Sequence, residues 1–184
     1  IRPTSPLDAI EQGIGYVPQE INVLKNFSVA ENIYMSNLRL ENLQTKKTGS
    51  KTPFVDFRRM YAACEELLRI NQIDLDPKAD VRKLSVGQQQ MLMIALATEP
   101  RVLILDEPTT SLSSSDVERL FQVVRSLKER GTSVIFVTHK MEEILELTDR
   151  VTILRDGKNI STFRKEEYDA MRIIADMIGR QISD

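Results

Sequence analysis

Three apolar runs limit the folds open to this chain: Ile14-Gly15-Tyr16-Val17, Val102 to Leu105, and Val134 to Val137. None alternates with polar residues, which is the pattern of strands buried on both faces of a parallel sheet. Amphipathic helical stretches lie between and after them. From Asp116 to Arg130, Leu120, Val123, Val124 and Leu127 share one face, Gly131 is a stop, and Ser115 with Glu118 has capping-box spacing. From Phe57 to Ile70, Met60, Tyr61, Cys64, Leu67 and Leu68 form a similar stripe, and Ser28 with Glu31 opens a short helix through Ile33. Strand and helix alternating over short joints reads as α/β with a mainly parallel sheet.

The stretch from Phe27 to Glu99 holds no strand pattern and reads as a helical lobe inserted between sheet strands. Within it, Asn42 to Pro53 is a polar surface loop whose lysines read as solvated rather than phosphate-binding. Val151 to Leu154, Asp156-Gly157 and Asn159 to Phe163 read as a hairpin with a tight turn, followed by a helix from Lys165 to Ile178. The expected division is therefore a core of residues 1–26 and 100–165, a helical subdomain of 27–99, and a C-terminal helix within 166–184.

Composition narrows the function. Of 184 residues, 41% are apolar and 28% charged, with a formal net charge of −2. That is enough apolar material for a core and the wrong balance for a partner bound through bulk positive charge, so no nucleic-acid partner is expected. The single cysteine, Cys64, excludes an internal disulfide, suits a cytoplasmic setting and reads as core filler, as Met91 and Met93 do. No stretch approaches the ~20 apolar residues of a membrane span, and IRPTSPLDAIEQG lacks the apolar heart of a signal peptide.

Each apolar run ends in polar groups: Pro18-Gln19-Glu20, Asp106-Glu107-Pro108 and Thr138-His139. Ligands of open α/β sheets bind outside the carboxyl ends of the strands, so these groups converge if the strands are neighbours. In VLILDEP, Asp106 can hold Mg²⁺ through water and Glu107 can orient an attacking water; the plain alternative is a strand ending in solvated acids. In LSVGQQQ, which precedes a helical stretch Met91 to Thr98, Ser85 and Gly87 at a helix start expose backbone N–H groups to a phosphate, and Gln88 adds a polar contact. An ordinary N-cap at Ser85 explains the same residues. His139, the only histidine, is open to a structural role or to contact with a γ-phosphate oxygen.

The order of these pieces resembles the ATP-binding cassette of ABC transporters, a P-loop NTPase-like fold. Gln19 lies at the Q-loop position, Ser85 to Gln89 at the signature, and Val102 to Asp106 at the Walker B strand. Glu107 is at the catalytic glutamate, Thr110 to Ser113 at the D-loop, and His139 at the switch histidine. GIGYVPQE, FSVAENI, THKMEEI and MIGR look like the monosaccharide-importer branch (ribose/galactose type), and like the first of its two fused cassettes. Val86 stands where many signatures have Gly, and Ser113 where the D-loop often has Asp. No Walker A loop, G-x-x-x-x-G-K-[ST], is present. The family carries it upstream of the Q-loop, so a cassette lacking its N-terminal part, cut before Ile1, is the expectation.

The resemblance implies ATP and Mg²⁺ as cofactors and two cassettes facing head to tail. Gln19, Asp106, Glu107 and His139 would serve this cassette's ATP: Asp106 and Gln19 on the metal, Glu107 on the attacking water, His139 on the γ-phosphate. Ser85, Gly87 and Gln88 would cap the ATP of the partner cassette, and Ser113 would lie in the D-loop between the two. Implied partners are a second cassette, membrane permease subunits that meet the helical lobe and Gln19, and indirectly a periplasmic or extracellular sugar-binding protein. The implied place is peripheral, on the cytoplasmic face of the membrane. Alone, the 184 residues are expected to bind Mg-ATP poorly, not to turn over, and to self-associate through exposed strand edges. The other readings are a non-transport ATPase of the same superfamily and a nucleotide-independent scaffold; retention of Asp106-Glu107 and His139 argues against the scaffold.

Overall fold

The structure is a computed structural model that describes residues 2–36, 56–97 and 100–179. Two compact units divide the chain, Ile1–Val137 and Thr138–Asp184.

In the first unit the apolar runs are strands β1 (Ile14–Val17), β2 (Val102–Asp106) and β3 (Ser133–Val137), parallel and in the order β1-β2-β3. Val17 pairs with Leu105, and Asp106 with Val137, so the carboxyl ends lie side by side. Helices α1 (Pro6–Glu11), α2 (Val29–Ser36), α3 (Phe57–Ile70), α4 (Val86–Leu96) and α5 (Ser114–Glu129) complete it. Residues 27–99 form no named strand among the described residues. The polar stretch 42–53 lies outside the described residues.

Local chemistry explains where the helices start. Ser28 and Glu31 form the expected reciprocal cap, and α2 continues past Ile33 to Ser36. Asp56 caps α3 by accepting from the Arg59 N–H at 3.1 Å. α4 starts at Val86, five residues before the expected Met91, because Ser85 and Gln88 make a full capping box. α5 starts after Ser113, two residues before the expected cap at Ser115. The Ser113 Oγ accepts from the Asp116 N–H at 3.3 Å and donates to Asp116 Oδ2 at 2.6 Å, which leaves Ser115 in the first turn.

One sheet face is the core. Val17, Leu103 and Leu105 are buried there, with Leu120, Val123, Val124 and Leu127 buried on α5. Phe121 meets Phe136 edge-on at 6.4 Å. Each such side chain contributes roughly 1.5–3 kcal/mol over its exposed state. Met60, Cys64 and Leu68 of α3 are buried as its stripe predicts. The expectation of burial on both faces fails, however. Tyr16, Ile135 and Val137 on the opposite face are 57%, 51% and 44% exposed. An unbroken apolar run tolerates burial on both faces but does not guarantee a cover for each.

The second unit holds α6 (Met141–Leu147), the antiparallel pair β4 (Arg150–Arg155) and β5 (Lys158–Arg164), and α7 (Ala170–Ile178). The hairpin turns on Asp156 at φ +51° and Gly157 at φ +73°, the two left-handed positions a type I′ turn requires. Ile153, Phe163 and Ile173 are its buried centre, and the Arg172 guanidinium lies 4.9 Å from the Phe163 ring centroid. The last helix starts at Ala170 rather than Lys165. Asp169 caps it by accepting from the N–H groups of Met171 and Arg172, and Lys165–Glu167 form a separate 3₁₀ turn. Among the described residues, no helix is long and apolar enough to cross a membrane.

Candidate nucleotide-facing site

The neighbour condition on which convergence depends is met for the three strands, and the polar groups after β1 and β2 touch. Gln19 Nε2 donates to Glu107 Oε2 at 3.2 Å. Thr110 Oγ1 lies within donating distance of both the Glu107 carbonyl oxygen, 3.1 Å, and Glu107 Oε2, 3.3 Å. The Glu107 N–H donates to the carbonyl of Val137 at 3.0 Å, continuing the β2–β3 ladder past its end. Glu107 sits at φ +42°, a left-handed conformation costly for a residue with a Cβ. Pro108 and Thr109, the next two residues, are buried.

Asp106 has a different partner. Tyr16 Oη donates to Asp106 Oδ2 at 3.1 Å. Tyr16 pairs in register with Ile104, so its side chain and that of Asp106 emerge on the same open sheet face. The bond to the carboxylate raises the Tyr16 pKa above its usual value, with burial and the Asp106 charge adding to it. Sequence reasoning passed over Tyr16 because it lies inside an apolar run. Strand parity finds it only once β1 is known to border β2.

The residues that open α4 divide by partner. Ser85 and Gln88 satisfy each other: the Gln88 N–H donates to Ser85 Oγ at 3.2 Å and the Ser85 N–H to Gln88 Oε1 at 3.0 Å. Gly87 is buried under the Asp116 carboxylate, and a Cβ there would lie 2.3 Å from Asp116 Cγ. Asp116 in turn is bonded to Ser113. Ser113 and Gly87 are thus joined through one carboxylate, a link no local pattern announces. A cleft of about 500 Å³ brings the segments together, with Gln19 and Glu20 after β1, Val86 and Gln90 of α4, and Glu107 and Leu112 after β2 on its walls.

His139 falls in the second unit, two residues after β3 ends. The neighbouring Thr138 donates through its hydroxyl to Glu143 and accepts from the Lys140 N–H at 3.0 Å, which fixes the entry to α6.

The donor set suits a weakly chelated divalent ion. Among the described residues no group of three or more His, Cys, Asp or Glu side chains could hold a metal. Mg²⁺ does not need one, since it keeps waters and binds through one or two carboxylates plus substrate phosphates. Asp106, half-buried at a strand end, fits that role.

The profile of the family described as ABC transporter matches residues 3–110. The galactose/methyl galactoside import ATP-binding protein MglA of Haemophilus influenzae is 40% identical over 178 residues, covering 96% of this chain and 33% of that protein. The ribose import ATP-binding protein RbsA of Bacillus licheniformis is 34% identical over 183 residues, covering 98% of this chain and 35% of that protein. The chain therefore spans about a third of the length of the curated relatives it matches. A dimeric ATP-binding cassette in a post-hydrolysis state, bound to ADP and Pi, superposes with a TM-score of 0.63 at 26% identity, covering 86% of this chain and 66% of that one. Profile, relatives and fold agree: the chain belongs to the ABC transporter family.

Proposed function

We propose that these residues are part of the ATP-binding subunit of a monosaccharide importer, coupling ATP binding and hydrolysis to transport. The observation that carries the reading is the contact of Gln19 with Glu107 beside Asp106, at the carboxyl edge of a parallel sheet. The names of the relatives, galactose/methyl galactoside and ribose import proteins, support the sugar.

In this reading residues 1–26 and 100–165 are the ATPase core, 27–99 the helical subdomain, and 166–184 the C-terminal segment. Asp106 and Gln19 would hold Mg²⁺, whose charge would offset that of the ATP phosphates. Gln19 must then exchange Glu107 for the metal, and Thr110 keeps the Glu107 carboxylate aimed while it does. Glu107 takes the proton of the attacking water at its carboxylate. His139 donates a hydrogen bond to a γ-phosphate oxygen. Ser85, Gly87 and Gln88 present the amino end of α4 to the nucleotide of a second cassette, with Ser113 at the junction. The partners are that cassette, permease subunits at the helical subdomain and, through them, a sugar-binding protein. The subunit works from the cytoplasmic face of the membrane. The 184 residues by themselves bind Mg-ATP weakly, since the phosphate-cradling loop of the family is not among them.

The test is a chimera in which the upstream segment of the Haemophilus influenzae relative is joined ahead of Ile1. It hydrolyses ATP, and Glu107→Gln cuts kcat at least about a hundredfold while leaving ATP binding intact. A chimera that binds ATP and loses no rate with Glu107→Gln refutes the role of Glu107.

A further inference from the structure

The cleft has one feature that the functional reading leaves unused. Gln90 is 3% exposed, and its Nε2 has no hydrogen-bond partner among the described residues. It lies in the buried run from Gln90 to Ala95 of α4, where every other residue is apolar. A leucine or methionine would fill the place without an amide to satisfy. A buried unpaired donor is uncommon in native structures and calls for a cause.

The cleft supplies one. Gln90 stands one turn after Val86 on the same side of α4, and both line the cavity, as do two acidic residues, Glu20 and Glu107. The last torsion of a glutamine side chain is soft and roughly twofold, so its amide nitrogen can turn toward that space at little cost. A carboxylate is the strongest acceptor available to it there.

We propose that Gln90 is a positioning residue of this cleft. As the walls approach, its amide donates to a carboxylate of the facing wall and sets the spacing between α4 and the Glu107 turn. The unpaired donor disfavours the open cleft, and the new bond favours the narrowed one. Only the nucleotide arm of the test below rests on the functional reading given above.

The first arm uses the 184-residue chain. Gln90→Leu removes the unpaired donor at nearly constant volume, and Tm rises by a few degrees. Gln90→Met, unbranched, gives the same rise if the branched side chain packs badly. A fall in Tm with both variants overturns the proposal, because it means the amide is already satisfied. The second arm uses the chimera. At saturating concentration Mg-ATP slows hydrogen exchange of the 107–112 backbone, and Gln90→Leu removes about tenfold of that protection with ATP still saturating. Protection at saturating Mg-ATP that survives the substitution overturns it. A wild-type chimera that binds no ATP counts against the functional reading instead, and the Tm arm then tests the unpaired donor on which the proposal rests.

Discussion

Replacing Gly87 by alanine tests the join between α4 and α5. A Cβ there would lie 2.3 Å from Asp116 Cγ and 2.6 Å from both its carboxylate oxygens, so the carboxylate has to move by about an ångström. Moving it breaks the 2.6 Å bond from Ser113, a charge-assisted contact at a half-exposed site worth roughly 1–2 kcal/mol. Displacement from a preferred rotamer adds about 0.5–1.5 kcal/mol. Against this, alanine in place of glycine inside a helix gains about 0.5–1 kcal/mol. The net is a loss of about 0.5–3 kcal/mol, or a Tm fall of roughly 2–9 °C for a chain of this size. In an Asp116→Ala background the obstacle is gone, and the same substitution should stabilise by about 0.5–1 kcal/mol. Urea unfolding of the four proteins of this cycle reads the change of sign. If Gly87→Ala has the same effect with and without the Asp116 carboxylate, the contact does not explain the glycine.

Three further outcomes follow from the structure. Cys64 is buried, and burial with help from Asp76 and Glu65 pushes its thiol pKa up to about 12, so the native protein should not react with a disulfide reagent at pH 8 and should react fully in urea. The Arg82 side chain, and then its backbone N–H, hold the Asp80 pKa down to about 2. The stability this contributes is present above the ordinary carboxylate value and is lost as pH falls through about 2. Arg82→Met should raise the Asp80 pKa seen by NMR only part of the way, because the N–H remains. Ile135→Lys places a charge on the open sheet face beside Tyr16 and Val137, and should reduce self-association in sedimentation and weaken binding of a hydrophobic dye. No change in either would mean that this face does not drive association.

The parts of the fold visible in sequence are those set by local pattern. The three apolar runs are strands, the α3 stripe faces inward, and the Asp156-Gly157 turn closes a hairpin. The misjudged features depend on neighbours. Ser113, Ser114 and Ser115 all offer a hydroxyl to cap α5, and Asp116 three residues on selects Ser113. The open sheet face could not be foreseen, because an apolar run does not say what lies on each side of it. Tyr16 and Asp116 escaped notice for the same reason: one acts through strand register and the other through helix packing, each against residues distant in sequence. The meeting of Gln19 with Glu107 was legible because both follow apolar runs directly, and the parallel pairing of β1 with β2 brings those strand ends together.

The central claim is the proposal that Gln19, Asp106 and Glu107 serve an ATP site that also needs a phosphate-cradling loop not found among these 184 residues. Calorimetric titration of Mg-ATP into the 184-residue chain and into the chimera tests it most directly. The account predicts tight binding by the chimera and weak or no binding by the chain alone. Equal, tight binding by both would mean that the phosphates are held by residues other than those assigned here.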